Sequence, residues 1–541
     1  MKKLSILLLA VYTDGMRNNL EEIGLGCLAG YLREKGYDVT LRSLNAFSPD
    51  HSLLADSRPD IVGFSLYTIN KNSVYDFSRA LKRMLPDVII CAGGSLPSYN
   101  GSRVLQECEA IDIVVRGEGE ITFWELVERI ACGARWDDIR GLTYRSGDRI
   151  VENENRPLIE SIEALPQPAR DLMVQNGAKI ALISTSRGCN AKCSFCASQL
   201  FWKQWRGRSP QKVVDEIETI ARQYGVRTFM IIDGSFEDPG PGLDRMLAIA
   251  REINGRGLRI CYYANIRADF YRKASEEAMT LLKESGLCSA CIGIESGNEA
   301  DLKLYHKIAS PAEIKLAVDL FRKYEINVEP GFINFNPYTT FDKLRQNIQF
   351  LEEYGFASNI MYVMTCAKLY QGTRLYERAA SDRLISDEGK FGYQFLDNRV
   401  QRLLEFIQDY LLTDIKTRSA CRAIDYYTTL RLTAIACYKR FFEGPEHQGA
   451  YQILKEYEQN HLVLFGKANR KVSQWFNQLI SIAEAGWDET LARNASDQLL
   501  SQNDIVEMAF QFDRLKNIYN RNLLRHNMKY EVFLLDYLAG N

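Results

Sequence analysis

Short apolar runs alternate with amphipathic stretches over the first 380 or so residues, in two series separated by a proline-containing break. In the first series the runs at 4–11, 39–44, 61–66, 88–92 and 111–115 read as buried strands. Between them, residues 23–34 and 74–84 carry apolar positions three and four apart and stop near Gly36 and Pro86, which predicts helices. Strands alternating with helices at this spacing predict a doubly wound, Rossmann-like parallel sheet over residues 1–167. A Gly147-Asp148 turn between 142–144 and 150–151 reads as a hairpin, and Leu165-Pro166-Gln167-Pro168-Ala169-Arg170 as a linker. The second series, residues 168–386, has six strand candidates at 179–185, 229–232, 259–264, 290–294, 327–333 and 360–364. Residues 387–541 switch to helical periodicity alone, at 399–412, 419–442, 451–460, 472–485 and 504–519, and predict an all-α domain.

Composition narrows the class. The chain has 541 residues, too many for one ordinary core, with 46% hydrophobic and 25% charged residues and a net charge of −2. This describes a soluble globular protein; no basic balance points to nucleic acid, and no run is long enough to span a membrane. The apolar run at 4–11 lacks a small-residue cleavage site and reads as a strand rather than a signal peptide. Of thirteen cysteines, three are clustered and ten are scattered, mostly inside apolar runs such as 90–92 and 435–437. That pattern suits reduced thiols in a cytoplasmic protein better than disulfides.

The clustered three change the picture. Arg187-Gly188-Cys189-Asn190-Ala191-Lys192-Cys193-Ser194-Phe195-Cys196 places thiols at C-x3-C-x2-C spacing on one loop after a strand. Three soft thiolates can grip an iron–sulfur cluster and leave one iron open for chemistry. Packing cysteines and a zinc site are the competing readings. Zinc would need a fourth ligand, and the histidines, His51, His306, His447, His461 and His526, all lie far along the chain.

At these residues the chain resembles the radical S-adenosylmethionine superfamily, which places this loop after the first strand of a partial α/β barrel. The resemblance implies a [4Fe-4S] cluster on Cys189, Cys193 and Cys196, whose open iron chelates S-adenosylmethionine and yields a 5′-deoxyadenosyl radical. Phe195 matches the aromatic residue the family places before the third cysteine. The six strands of the second series fit a partial (β/α)6 barrel, whose carboxyl ends hold the chemistry. There stand Asp233 and Ser235 in Asp233-Gly234-Ser235-Phe236-Glu237, Arg267, Glu295 and Ser296 in Gly293-Ile294-Glu295-Ser296-Gly297, and Asn334. All are candidate contacts to S-adenosylmethionine, with an ion pair to Asp269 as the other reading of Arg267. Asn336-Pro337-Tyr338-Thr339-Thr340 resembles a turn of the cobalamin-associated branch. Tyr338 within it and Cys366 after the sixth strand are candidate catalytic side chains, a buried structural role being the competing reading for Cys366.

The first series resembles the cobalamin-binding domain of that same branch. The residues carrying this are Ile23-Gly24-Leu25-Gly26 with Leu28-Ala29-Gly30-Tyr31-Leu32, Gly63-Phe64-Ser65, Cys91-Ala92-Gly93-Gly94 and Arg116-Gly117-Glu118-Gly119-Glu120. The resemblance implies cobalamin contacts from Ser65, Thr68, Gly93, Gly94, Gly117 and Glu118. Met16 stands where cobalt-ligating relatives carry histidine, so the expected cobalamin is base-off, without a protein imidazole. No further cysteine cluster follows residue 387, so one cluster is expected; the helical tail is expected to pack against the barrel and the cobalamin domain and line one wall of the substrate pocket, with an independent partner-binding module as the other reading. The implied function is modification of an unactivated carbon of a small-molecule or peptide natural product, by methyl transfer first and by radical rearrangement, cyclisation or ring contraction second. A non-catalytic cobalamin or cluster sensor is the reading from another class. The enzyme readings imply an external electron donor such as flavodoxin or ferredoxin.

Overall fold

A computed structural model describes residues 3–13, 20–45, 58–386, 391–413, 435–437, 439–441, 448–501 and a few positions between 511 and 521. The chain divides into two compact units, residues 1–189 with 201–230, and residues 190–200 with most of 231–541.

The first unit is built on a seven-stranded sheet. Its strands are β1 (Ile6–Tyr12), β2 (Val39–Asn45), β3 (Ile61–Ser65), β4 (Ile89–Gly93), β5 (Ile113–Val115), β6 (Leu142–Ser146) and β7 (Arg149–Glu152), in the spatial order β2-β1-β3-β4-β5-β6-β7. The first five pair in parallel, Ile6 against both Val39 and Ile61, and the hairpin β6–β7 closes the edge antiparallel to β5. Every residue of β1 and of β3 is buried, as expected of parallel strands covered on both faces. One apolar cluster packs helices Ile23–Glu34 and Gly119–Ala131 on one face, and another packs Lys71–Met84 and Ser95–Glu107 on the other. The order reverses between β1 and β3, so the ligand crevice of such a sheet falls at their carboxyl ends.

The linker is part of this packing. A Cβ on Gly26 would lie 2.6 Å from the Ala169 carbonyl and one on Gly30 would lie 2.5 Å from the Gln167 carbonyl. Two of the glycines that suggested a cobalamin motif therefore serve the close approach of helix and linker. After it come β8 (Ile180–Ile183), the short antiparallel pair β9 (Ser186–Arg187) and β10 (Arg206–Gly207), and β11 (Thr228–Ile231).

In the second unit β12 (Cys261–Arg267), β13 (Leu287–Glu295) and β14 (Asn327–Phe332) pair side by side in parallel, alternating with helices Glu276–Ser285, Pro311–Lys323 and Phe341–Glu353. Ser310 caps its helix with a full capping box, its hydroxyl on Glu313 N and the Glu313 carboxylate on Ser310 N. The sixth predicted strand is a 3₁₀ turn, Ile360–Met364, joined to the sheet only by a bridge from Phe335 to Cys366. Side chains won over pairing there: Asn359 Oδ1 accepts from Met361 N at 2.9 Å, and Thr365 donates to the Tyr362 carbonyl at 3.0 Å. The separate helices predicted at 451–460 and 472–485 are one helix, Gln448–Glu484, because the apolar stripe continues through His461, Leu464, Phe465 and Ala468 past Gly466. A helix the pattern missed, Glu489–Ser501, follows. Most of the helices expected at 419–442 and 504–519 lies outside the described residues.

Candidate active site

The cysteine loop is braced on its two sides by different means, and the boundary between the two units falls inside it, after Cys189. Just before it, Arg187 donates to Glu118 at 2.7 Å and to Glu120 at 2.5 Å, while Arg206 donates to the other Glu118 oxygen at 2.8 Å. Burial alone would raise the Glu118 carboxyl, but the hydrogen bond from Arg206 and the charge and hydrogen bond of Arg187 hold it below its usual range. Gly188 follows at φ +92°, and a Cβ there would collide with the Gln204 carbonyl. Only glycine fits such a turn without strain.

Beyond Cys189 the loop is tied down in the second unit. Ser194 N donates to Tyr305 O at 3.0 Å, the Ser194 hydroxyl donates to Leu304 O at 2.6 Å, and Leu375 N donates to Ser194 O at 2.9 Å. Phe195 packs edge-on against Tyr305, ring centres 5.3 Å apart, in a cluster with Ile333, Ala367 and Leu375. Cys189, Cys193 and Cys196 are each partly exposed and none forms a disulfide. A cluster-binding loop needs this: fixed backbone, with sulfurs at a surface.

The carboxyl ends of the strands in the second unit assemble a second group. Asp233, Ser235 and Glu237 are buried; Ser235 Oγ and Glu237 Oε2 have no partner beyond each other, and burial pushes the Glu237 carboxyl up against the Ser235 hydroxyl and the Arg267 charge. Asn265 donates to the Asp233 carbonyl at 2.9 Å and Arg267 N to Glu237 Oε1 at 3.1 Å, so β12 holds the segment after β11 in place. Arg267 itself forks onto Asp269, with Nε at 2.9 Å, the alternative raised for it from the sequence. At the end of β13 the ladder slips between Gly293 and Glu295, and Glu295 sits at φ +65°. Its carboxylate, pushed up by burial, is 3.3 Å from Lys307 Nζ, a partner the sequence did not point to. Lys307 is itself held up in pKa against its burial by the charge of Glu295, with Cys193 as the next charge acting on it.

Ser296 and Asn334 are fully buried in a network of their own. Ser296 donates to Asn347 Oδ1 at 2.8 Å and accepts from Asn298 at 2.8 Å, and Asn347 donates to Asn334 Oδ1 at 3.1 Å. Asn298, Asp301, Asn336 and Lys343 continue it, Lys343 reaching Asp301 at 2.8 Å. These side chains are occupied with one another and set the backbone that carries Glu295. Tyr338 donates to Asp382 at 2.6 Å with Arg378 over its ring, and its hydroxyl is pushed up to about 12, by burial first. Cys366 is half-buried, donates to Met364 O at 3.3 Å, and burial pushes its thiol up to about 12.

In the first unit the crevice end of the sheet holds Ser65, buried, and Thr68, exposed. Ser65 and Tyr67 both donate to Glu22 Oε2, at 3.3 and 2.9 Å, and Asn70 clasps the turn by accepting from Tyr67 N at 2.7 Å and donating to Ser65 O at 3.0 Å. Gly94 has φ +109° with its Cβ position 3.0 Å from Leu66 O, while Gly93 and Gly117 leave their Cβ positions uncrowded. Backbone bare of side chains is what a flat macrocycle and its nucleotide tail need. Glu118 spends its oxygens on Arg187, Arg206 and Ile159 N. Residues 14–19, with Met16, lie outside the described residues, as does His51.

Comparison with known proteins agrees with this geometry. A B12 binding domain model matches residues 10–127 and a Radical SAM superfamily model matches residues 183–364. The chain is 30% identical over 400 residues to an uncharacterized methyltransferase of Pyrococcus horikoshii, covering 72% of this chain and 84% of that protein. It is 28% identical over 326 residues to the anaerobic magnesium-protoporphyrin IX monomethyl ester cyclase of Cereibacter sphaeroides, covering 57% of this chain and about half, 52%, of the cyclase. Among solved structures, the cobalamin-dependent S-adenosylmethionine radical enzyme OxsB with aqua-cobalamin and S-adenosylmethionine bound shares the fold, with a TM-score of 0.68 at 18% identity over 100% of this chain and 84% of that one. The chain belongs to the cobalamin-dependent radical S-adenosylmethionine enzymes. Its cofactors are cobalamin, S-adenosylmethionine and a [4Fe-4S] cluster. No described helix is long and apolar enough to cross a membrane.

Proposed function

We propose that this enzyme transfers a methyl group to an unactivated carbon of a small-molecule or peptide natural product. The observation that carries the radical half is the buried polar set at the end of β11, Asp233 with Ser235 Oγ and Glu237 Oε2, which have no partner beyond each other. A buried carboxylate with only one neighbouring hydroxyl at that oxygen is under-served unless a ligand adds a donor, and the ammonium of S-adenosylmethionine is such a donor. In this reading Cys189, Cys193 and Cys196 hold the cluster with Phe195 packed behind them, and Asp233, Ser235 and Glu237 receive the amino group. Glu295, paired with Lys307, accepts from ribose hydroxyls. Ser296 and Asn334 fix Glu295 from behind, and Arg267 steadies the β12 end through Asp269. Ser65, Thr68, Gly93, Gly94 and Gly117 form the cobalamin cradle, with Glu118 bracing it through Arg187. When bound, the cofactors supply a carbon-centred radical and a methyl donor; the chain supplies position and exclusion of water. Tyr338 and Cys366 are assigned to the substrate side.

Segments 1–167, 168–386 and 387–541 would then be the cobalamin, radical and covering parts. A low-potential flavodoxin or ferredoxin is the proposed reductant, and the cytoplasm the proposed location, since the described cysteines form no disulfide. Methyl transfer is favoured by the methyltransferase name of the relative matched over 84% of its length. The cyclase relative favours a ring-forming reaction as the second reading. Reconstituted enzyme given S-adenosylmethionine with a labelled methyl group, reductant and candidate substrates separates them by mass spectrometry. Label in the product together with both 5′-deoxyadenosine and S-adenosylhomocysteine is expected. An unlabelled product with 5′-deoxyadenosine alone would replace methylation by cyclisation or rearrangement, and neither nucleoside under any condition would leave a sensor.

A further inference from the structure

Outside the cluster loop, three more cysteines meet. Cys261 opens β12, Cys288 lies near the start of β13, and Cys437 comes from a helical stretch at 435–437. Their sulfur atoms all lie within 4.8 Å of one another, those of Cys288 and Cys437 at 3.0 Å, and the three residues are 0%, 3% and 1% exposed. The convergence has a backbone cause. Tyr262 pairs with Leu287 and Tyr263 with Ser289, so Cys288 is the extra residue of a β-bulge, the device by which a strand re-aims one side chain. These are the amino ends of β12 and β13; Arg267 and Glu295 of the proposed radical site close the opposite ends of the same strands. In barrels of this kind the amino-end face serves stability and the carboxyl-end face serves chemistry.

We propose that Cys261, Cys288 and Cys437 form a structural site for one zinc ion, distinct from the cluster cysteines, that pins the 435–437 segment to the two strands. Thiolates about 2.3 Å from zinc sit about 3.8 Å apart at tetrahedral angles, within the range these sulfurs already span. The fourth position falls to an oxygen: the Cys437 carbonyl lies 3.3 Å from Cys261 Sγ, and the Tyr262 carbonyl 3.3 Å from Cys288 Sγ. An iron–sulfur cluster needs its thiolates farther apart than one ion does. Zinc leaves three thiolates one net negative charge where copper(I) leaves two, and the Arg440 guanidinium acts on Cys261 to offset it. Binding releases the three thiol protons and involves no electron transfer.

Zinc content decides the matter in the full chain. The protein carrying C189A, C193A and C196A, purified without added metal, is expected to hold about one zinc per chain by plasma mass spectrometry, dropping at least about tenfold when C261S, C288S and C437S are added. Should those added substitutions prevent folding, wild-type holoenzyme supplies the second measurement: one zinc above its iron complement, and a cobalt(II)–thiolate charge-transfer band saturating at one equivalent after exchange. Zinc below about a tenth per chain in both proteins with no cobalt–thiolate band would overturn the site. So would a Cys288–Cys437 disulfide recovered by peptide mapping from zinc-free, anaerobically purified protein.

Discussion

Gly188 carries two constraints at once, a left-handed backbone and the Gln204 carbonyl where a Cβ would be. Gly188→Ala is therefore expected to cost about 1–3 kcal/mol in chemical denaturation and to lower iron incorporation, because the loop must back away from Gln204. Unchanged iron content and an unchanged denaturation midpoint would contradict it. Glu118 acts at the same scale through charge. Its folded carboxyl is depressed relative to the unfolded one, so its stabilisation is present above the unfolded pKa of about 4.3 and is lost as pH falls through the folded value. Melting temperature should therefore decline below about pH 4.5 more steeply in the wild type than in Glu118→Gln, whose curve is lower and flatter there. Parallel curves would remove Glu118 from the account.

At the scale of elements, buried ions join segments distant in the chain. Arg170, from the linker, donates to Glu21 ahead of the first helix at 2.5 Å, to the Leu182 carbonyl of β8 at 2.9 Å, and to Glu216 in helix Pro210–Tyr224. Leu182 N in turn donates to Glu21 at 3.0 Å. Replacing Arg170 by Met leaves buried Glu21 without a cation and Glu216 with Arg208 alone, and a loss of about 3–5 kcal/mol is expected in equilibrium unfolding. Adding Glu21→Gln should return part of that loss; a double variant no better than the single would show that packing, not charge, is at stake. At the end of β13 the Glu295–Lys307 pair poses the corresponding question for function. Lys307→Met is expected to weaken S-adenosylmethionine binding at least about tenfold, with the iron content retained, since an unpaired buried Glu295 takes up a proton and ceases to accept two hydrogen bonds. Calorimetric titration checks it, and wild-type affinity would sink it.

At the scale of the molecule, the helical tail belongs to the second unit's core. Helix Gln448–Glu484 sets Asn469 against Ser358 N at 3.1 Å and the Glu352 carbonyl at 2.7 Å, and Phe476 meets Phe335 edge-on, ring centres 6.4 Å apart. Ending the chain after Ser386 would uncover Phe335, Ile348 and Leu351, all fully buried. The truncated protein is expected to aggregate or to melt well below the full chain in a thermal scan. A soluble monomer with the full-length melting temperature would assign the tail to some task other than closing this core.

The sequence by itself determined the cluster loop, the strands of the first series, five of the six expected in the second and the glycine-rich strand ends, because thiol spacing, apolar runs and turn residues are properties of neighbours in the chain. It also implied all three cofactors through those same local strings. Tertiary structure alone decided where side chains point. Ser296 and Asn334 looked like ligand contacts by position, yet Asn298 and Asn347 claim them. Glu118 stood in a cofactor-like string, yet Arg187 and Arg206, 69 and 88 residues away, take its oxygens. Cys288 and Cys437 read as scattered core thiols, yet a bulge brings them together across 149 residues. Hydrogen bonds and ion pairs act over a few ångströms regardless of separation along the chain, so no local pattern records them.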